Sequence, residues 1–221
     1  MKLLALDTST GACSCALWID GDIQYRSKIA PRQHADLILA MADELLKQAD
    51  LIPSQLDTVA FGRGPGSFTG LRIACGVVQG IAFAADIPVA PISSLAALAQ
   101  TAYQQTDQPN ILACIDARMN EVYWGCYQLQ NGLMQLQTEE QVSPASQVNI
   151  LTDSQIWFGA GSGWEAYEAN LTQTLPQIQH YQADLYPQAQ AILPLAVNMF
   201  EQQQVVSAEY ALPVYLRNKV V

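Results

Sequence analysis

At Asn110 the sequence starts over. The run 111-ILACIDARMNEVYWGCYQLQNG-132 mirrors 3-LLALDTSTGACSCALWIDG-21, and an offset of 109 brings Asp116 onto Asp7. In each copy a continuous apolar run suited to a buried strand ends in the acid. A second run then leads into a turn dipeptide, Asp20-Gly21 in one copy and Asn131-Gly132 in the other. Both dipeptides favour a two-residue hairpin. A repeat of this length fixes the architecture before any motif does. The chain reads as an α/β protein of two β-β-β-α-β-α subdomains, 1–107 and 108–221, with the second the weaker copy.

Two such units, each opening with a strand that ends in Asp, resemble the duplicated actin-like ATPase (ASKHA) fold of sugar kinases and the Hsp70 ATPase domain. In that fold the paired acids face a cleft between the domains, where nucleotide binds. The resemblance makes Asp7, Thr8, Ser9 and Asp116 candidates for a nucleotide site. Hydroxyls and backbone N–H groups at a strand end can hold a phosphate. The same residues can equally do no more than satisfy a turn. The run 159-GAGSG-163, ahead of a helix expected near Trp164, is a second place for a phosphate.

The stretch 62-GRGPGSFTG-70 looks at first like a phosphate cradle. A P-loop requires Lys after its last glycine, and Leu71 stands there; the dinucleotide fingerprint fails because Thr69 takes the place of its third glycine. Pro65 removes one backbone N–H that a cradle would use. The loop therefore reads as a tight strand-to-helix turn, with Ser67 or Thr69 capping the helix.

That helix, expected over 70–85, is apolar nearly all round, broken only by a line of Arg72, Gln79 and Asp86. A helix resting on its own sheet needs an apolar stripe little wider than ~100°. Val77, Ile81, Ala74 and Ala85 suffice for the sheet, which leaves Cys75, Gly76, Gly80, Ala82 and Phe83 for something else. Gly76, Gly80 and Ala84 form a row of small residues that lets another helix come close. The earlier helix, expected from His34 to Ala49, carries Leu39 and Leu46 beyond the face made by Ile38, Met41 and Leu45. Either another part of the chain covers this surplus or it forms a subunit interface. On the second reading Leu39, Leu46, Arg72, Cys75, Gly76, Gln79, Gly80 and Phe83 face the partner. A charge at Leu46 or Gly76 should then spare the fold.

The net charge of −10 comes with ten scattered basic residues, whereas direct nucleic-acid binding calls for a basic stripe. The five cysteines include no C-x-x-C and sit mostly in apolar runs, as suits a reducing compartment. With only His34 and His180, no zinc or iron motif can be assembled, and no G-x-S-x-G elbow occurs. Asp7 interrupts the N-terminal apolar run before a signal sequence could form, and no stretch reads as long enough for a membrane span. The expectation is a cytoplasmic protein with no catalytic group and no metal.

The motifs together resemble one family closely. DTST near the N-terminus, RQHAD at 32–36, GRGPGSFTGLRIA at 62–74, DARMNEVYW at 116–124 and LPVYLR at 212–217 are similar to the TsaB (formerly YeaZ) family over essentially the full chain. The resemblance implies a non-catalytic subunit of the bacterial machinery that makes N6-threonylcarbamoyladenosine at position 37 of tRNA. It further implies a heterodimer with the catalytic paralogue TsaD, the ATPase TsaE within the complex, and tRNA met only through that complex. The metal-binding histidines of TsaD fall on Ser94 and Leu98 here, and TsaD's helices bundle with the two over-apolar helices. The complex uses ATP; the chain itself has no cofactor, with residual ATP or ADP affinity and a homodimer through the same helices left open. The alternative is a small ATPase or small-molecule kinase of the actin-like fold, which would keep Asp7 and Asp116 as working acids.

Overall fold

A computed structural model describes residues 1–150 and 156–217. They form two compact units. The first sheet holds β1 (Lys2–Asp7), β2 (Ala12–Ile19), β3 (Asp22–Ile29), β4 (Thr58–Gly64) and β5 (Val89–Ser93) in the order β3-β2-β1-β4-β5. The first three strands make an antiparallel meander, while β1, β4 and β5 run parallel. Asp20 and Gly21 both take positive φ, 48° and 106°, at the tight turn the dipeptide forecast.

The continuous apolar run of β1 follows from burial on both faces. Leu4 and Leu6 face one side with Cys13, Cys15, Val59 and Phe61, under helices α1 (His34–Gln48) and α2 (Phe68–Ala85). Leu3 and Ala5 face the other side with Ala16, Ala60 and Ala90. Full burial of each such leucine is worth ~1.5–3 kcal/mol.

The helix over that second face comes from the far end of the chain. The unit with the first sheet comprises 1–97 and 187–214, while 98–186 and 215–221 make the other. A division at 107/108 is therefore crossed in both directions. Helix α3 (Ser94–Thr106) follows β5, yet from Leu98 onward it counts with the second unit. Ile192, Leu193 and Ala196 of the last helix (Ala189–Glu201) pack on Leu3, Ala5 and Ala60 instead. Its start is fixed by the Ser14 hydroxyl, which accepts from the Ala189 N–H at 2.9 Å. The small residues on this face of the sheet demand a closely fitting apolar helix. Nothing in the periodicity of 187–203 says which sheet that helix covers.

The second sheet repeats the first. Strands β6 (Asn110–Asp116), β7 (Glu121–Gln130), β8 (Leu133–Leu136), β9 (Gln141–Pro144), β10 (Phe158–Ala160) and β11 (His180–Gln182) give the order β11-β10-β6-β7-β8, with β9 pairing on β7. Asn131 and Gly132 turn the hairpin with φ of 53° and 81°. Helices α4 (Ser162–Ala166) and α5 (Glu168–Thr174) follow β10, and α6 is the Ala189–Glu201 helix. Where the first copy has α1, the second has β9 and a short turn over Ala145–Gln147. Val148, Trp157, Trp164 and Leu171 fill the core there.

One expectation fails on length. Helix α2, with 18 residues, is long and apolar enough to cross a membrane. In the structure it rests on the sheet beside β4, with Leu71, Ala74 and Val78 fully buried. A single helix of this kind is what a sheet-covering core helix also looks like.

Candidate functional site

The strand-end residues 7-DTST-10 and the glycine loop are one piece of structure. Asp7 accepts from the Ser9 N–H at 3.0 Å and from the Ser9 hydroxyl at 2.9 and 3.1 Å. The Thr8 hydroxyl donates to the Gly70 carbonyl at 2.7 Å, and the Ser67 N–H donates to the Ser9 carbonyl at 2.7 Å. Asp7, Thr8 and Ser9 have no exposed surface. The Asp7 carboxylate and the Thr8 and Ser9 hydroxyls are thus used within the chain, while the buried Thr10 hydroxyl has no partner among the described residues.

The glycines make that closure possible. A Cβ at Gly62 would stand 1.9 Å from Asp7 Oδ2, one at Gly66 2.3 Å from the Ser9 carbonyl oxygen, and one at Gly70 1.9 Å from that of Thr8. Gly64 has a φ of 111°, and its N–H donates to the Ser94 hydroxyl at 3.1 Å. The loop is thus a lid pressed on the β1 end. Ser67, one of the two expected caps, accepts from the Gly70 N–H at 3.3 Å. Burial pushes the Asp7 carboxyl from 3.8 up to about 7, against the lowering effect of its bonds from Ser9. Asp7, Thr8 and Ser9 therefore present no exposed surface in this arrangement.

Asp116, in the other unit, is also held locally. It accepts from the Arg118 N–H at 2.7 Å and the Tyr167 hydroxyl at 3.0 Å, and pairs with the Arg118 guanidinium at 3.0 Å. Arg118, Met119 and Asn120 follow it with three consecutive positive φ values of 61°, 58° and 62°. The 159-GAGSG-163 glycines serve packing. A Cβ at Gly159 would meet the Trp164 ring, and one at Gly163 the Cys114 sulfur. Helix α4 has five residues, too short to act as an anion-binding terminus.

The eight interface candidates divide. Gly76 and Gly80 lie on the outer face of α2, where an added Cβ would meet nothing within 4 Å. Phe83 is 84% exposed and Leu39 on α1 55%. Arg72 is exposed as well, its guanidinium 3.8 Å over the Phe68 ring. Leu46, by contrast, is 6% exposed and Cys75 7%, both within the core under α1 and α2.

Tail residues account for part of the difference. The Cys75 thiol and the Gln79 side-chain amide both donate to the Ala211 carbonyl, at 3.0 and 3.2 Å. The inner face of α2 is Leu71, Ala74, Cys75, Val78 and Ala82, so Cys75 and Ala82 turn inward, while Val77 and Ile81 are half-buried. Leu46 sits one turn from Ala42 on the buried side of α1, and a charge there would enter the core. The alternative that the chain itself covers the surplus thus holds for Leu46 and Cys75 and in part for Gln79. The tail contacts were not legible because 207–217 has no periodicity.

All five cysteines are free and buried, and burial raises each thiol; Cys13, for one, is pushed up to about 11. None is a ready nucleophile. Among the described residues no three His, Cys, Asp or Glu side chains come together as a metal site. Ser94 and Leu98 are both fully buried.

Two sheets of matching strand order, each with an acid closing its first strand, define a duplicated actin-like fold. The family described as "TsaD: tRNA N6-adenosine threonylcarbamoyltransferase" matches residues 26–218. The chain is 39% identical, over its whole length and 96% of the relative, to tRNA threonylcarbamoyladenosine biosynthesis protein TsaB of Escherichia coli (strain K12). It is 41% identical to the protein of the same name from Haemophilus influenzae, covering 95% of it. The solved structure of YeaZ from Pseudomonas aeruginosa superposes with a TM-score of 0.93 at 49% identity, covering 97% of this chain and 99% of that one. The chain belongs to the TsaB (YeaZ) family.

Proposed function

We propose that this protein takes part in making threonylcarbamoyladenosine in tRNA as a non-catalytic subunit that docks TsaD on the outer face of α1 and α2. One observation carries the reading: the 18-residue helix α2 leaves a row of Gly76 and Gly80 open along with exposed Phe83, and Leu39 on α1 is exposed too. A glycine inside an exposed helical face costs ~1 kcal/mol against alanine. Two of them there make sense when a second backbone approaches closely.

The family relation supports the process, since its curated relatives carry that biosynthesis in their names. Against the small ATPase or kinase alternative stands the complete burial of Asp7, Thr8 and Ser9. On this reading the chain works in the cytoplasm with no cofactor of its own. ATP enters through TsaE, and tRNA is met through the complex.

The test is Gly76→Arg. With open space at Gly76, the variant should keep its circular dichroism and melting temperature. A clash and an unpaired charge at the docking face should weaken TsaD binding ~100-fold or more. Threonylcarbamoyl transfer to tRNA, reconstituted with TsaD, TsaE and threonylcarbamoyl-adenylate, should fall with it. Undiminished binding by a folded Gly76→Arg protein sinks the proposal.

A further inference from the structure

The first sheet has a free edge. Among the described residues, strand β3 pairs with β2 alone, and seven of its eight residues are exposed. Three are large and apolar: Ile23, Tyr25 and Ile29. They share a face of the strand with Ser27, whose hydroxyl reaches Gln188. The opposite face carries Asp22, Gln24, Arg26 and Lys28. An eight-residue edge with unpaired backbone groups is a template for another strand.

Backbone geometry says which groups are free. Across the two-residue turn, Ile19 and Asp22 form the hydrogen-bonded pair, and such pairs alternate along an antiparallel ladder. The Ala30 N–H donating to the Gly11 carbonyl at 3.1 Å keeps that phase. Even-numbered residues of β3 therefore bond to β2, and Ile23, Tyr25, Ser27 and Ile29 point their N–H and C=O groups outward.

We infer that β3 pairs antiparallel with β3 of a second copy of this chain about a two-fold axis at Tyr25, joining two sheets into one. Only registers that set odd residues opposite odd residues can form the bonds. Centring on Arg26 would oppose two guanidinium groups. Centring on Gln24 sets Asp22 against Arg26 but overlaps only five residues. Centring on Tyr25 gives seven residues of overlap, with each Asp22 facing Lys28 of the other copy and Gln24 facing Arg26. Cross-strand pairs of opposite charge are favourable, and like charges in that position are not.

The apolar face then sets the two Tyr25 rings side by side with Ile23 near. The Arg26 guanidinium donates to the Tyr25 carbonyl at 3.0 Å, and a carbonyl has a second lone pair for the incoming N–H. Arg26 also reaches Gln48 at 2.7 Å and Glu44 at 3.7 Å on α1, but none of Leu39, Gly76, Gly80 and Phe83 takes part in the pairing.

Sedimentation equilibrium on the full chain tests it, in a Gly76→Arg background that closes the helical face to self-association. From roughly 1 μM to 1 mM the expected result is a monomer–dimer equilibrium. Lys28→Glu, which opposes acids twice across the axis, should weaken the dimer ~10-fold or more. Adding Asp22→Lys to Lys28→Glu should restore it. Tyr25→Pro removes the outward N–H at the axis while leaving the β2 ladder whole, and should abolish the dimer. A monomer throughout the range overturns the inference, and so does a dimer that Lys28→Glu leaves untouched.

Discussion

Six glycines lie between Gly62 and Gly80, and they serve two opposite purposes. Gly62, Gly64, Gly66 and Gly70 are where they are because a Cβ would strike the chain itself, at 1.9 to 2.5 Å from its nearest atom. Gly76 and Gly80, roughly two and three turns beyond Gly70 on the same helix, would place a Cβ in open space. The first group closes the β1 end and seals Asp7. The second group meets nothing among the described residues. The same residue type thus marks an inner contact already made and an outer one left open. The sequence separates the loop glycines from the helical row by position, but it does not show that the first group presses on the β1 end.

Gly70→Ala is the largest test of that contrast. Its Cβ would press on the Thr8 backbone, and neither the first turn of α2 nor the β1 end can yield without breaking the Thr8–Gly70 hydrogen bond. A loss of ~3 kcal/mol in urea unfolding is expected, the upper end of the range typical of overpacking in a tight core. A loss below ~1 kcal/mol would mean the loop is not the lid described.

Leu46→Glu comes next and sharpens the same division on α1. Its side chain lies in the core, near the helix's last turn, where an acid can partly reach water. It should cost ~2–3 kcal/mol. Leu39→Glu, at an exposed position, should cost under ~0.5 kcal/mol. Equal costs at Leu39 and Leu46 would erase the inner–outer distinction on this helix.

How much of this was legible follows from what periodicity encodes. The duplication, both hairpin turns, the strand-ending acids and the helix starting at the glycine loop are local patterns, and the structure has all of them. The helical faces were off by about one position. An all-round apolar helix such as α2 has no polar stripe to fix its rotation, so Cys75 and Ala82 could not be told from outward residues. The assignment of α6 to the first sheet and the grip of Ala211 on Cys75 and Gln79 are long-range choices. They depend on which surface is left uncovered after local folding, and nothing in 187–217 spells that out.

The two repeat-related acids offer a subtler contrast. Asp116 has an arginine and a phenol beside it, whereas Asp7 has only Ser9 and lies in an apolar surrounding. With the folded carboxyl at about 7 and the ordinary value at 3.8, the folded state binds a proton more tightly than the unfolded one. The stability this contributes is complete below pH 3.8 and is lost as pH rises to about 7. Asp7→Asn keeps an acceptor for the Ser9 N–H and removes the titration. Relative to the native chain it should gain ~1–3 kcal/mol between pH 4 and 7.5 by urea unfolding. A parallel pair of pH profiles would show that Asp7 is not sealed.

The smallest effect discriminates most finely between the two groups of glycines. At Gly76 and Gly80 the backbone is helical, and neither takes a positive φ that alanine would resist. Alanine restricts the unfolded chain more than glycine does and meets no neighbour at these positions. Gly76→Ala and Gly80→Ala should therefore each stabilise the isolated protein by ~0.5–1 kcal/mol, the reverse of Gly70→Ala. If a partner backbone packs against this row, the same methyl groups should weaken TsaD binding several-fold without any added charge. Opposite signs for stability and binding in one substitution cannot come from damage to the fold. A stabilised variant that binds TsaD as well as before would leave the outer glycines without a purpose and move the docking site elsewhere.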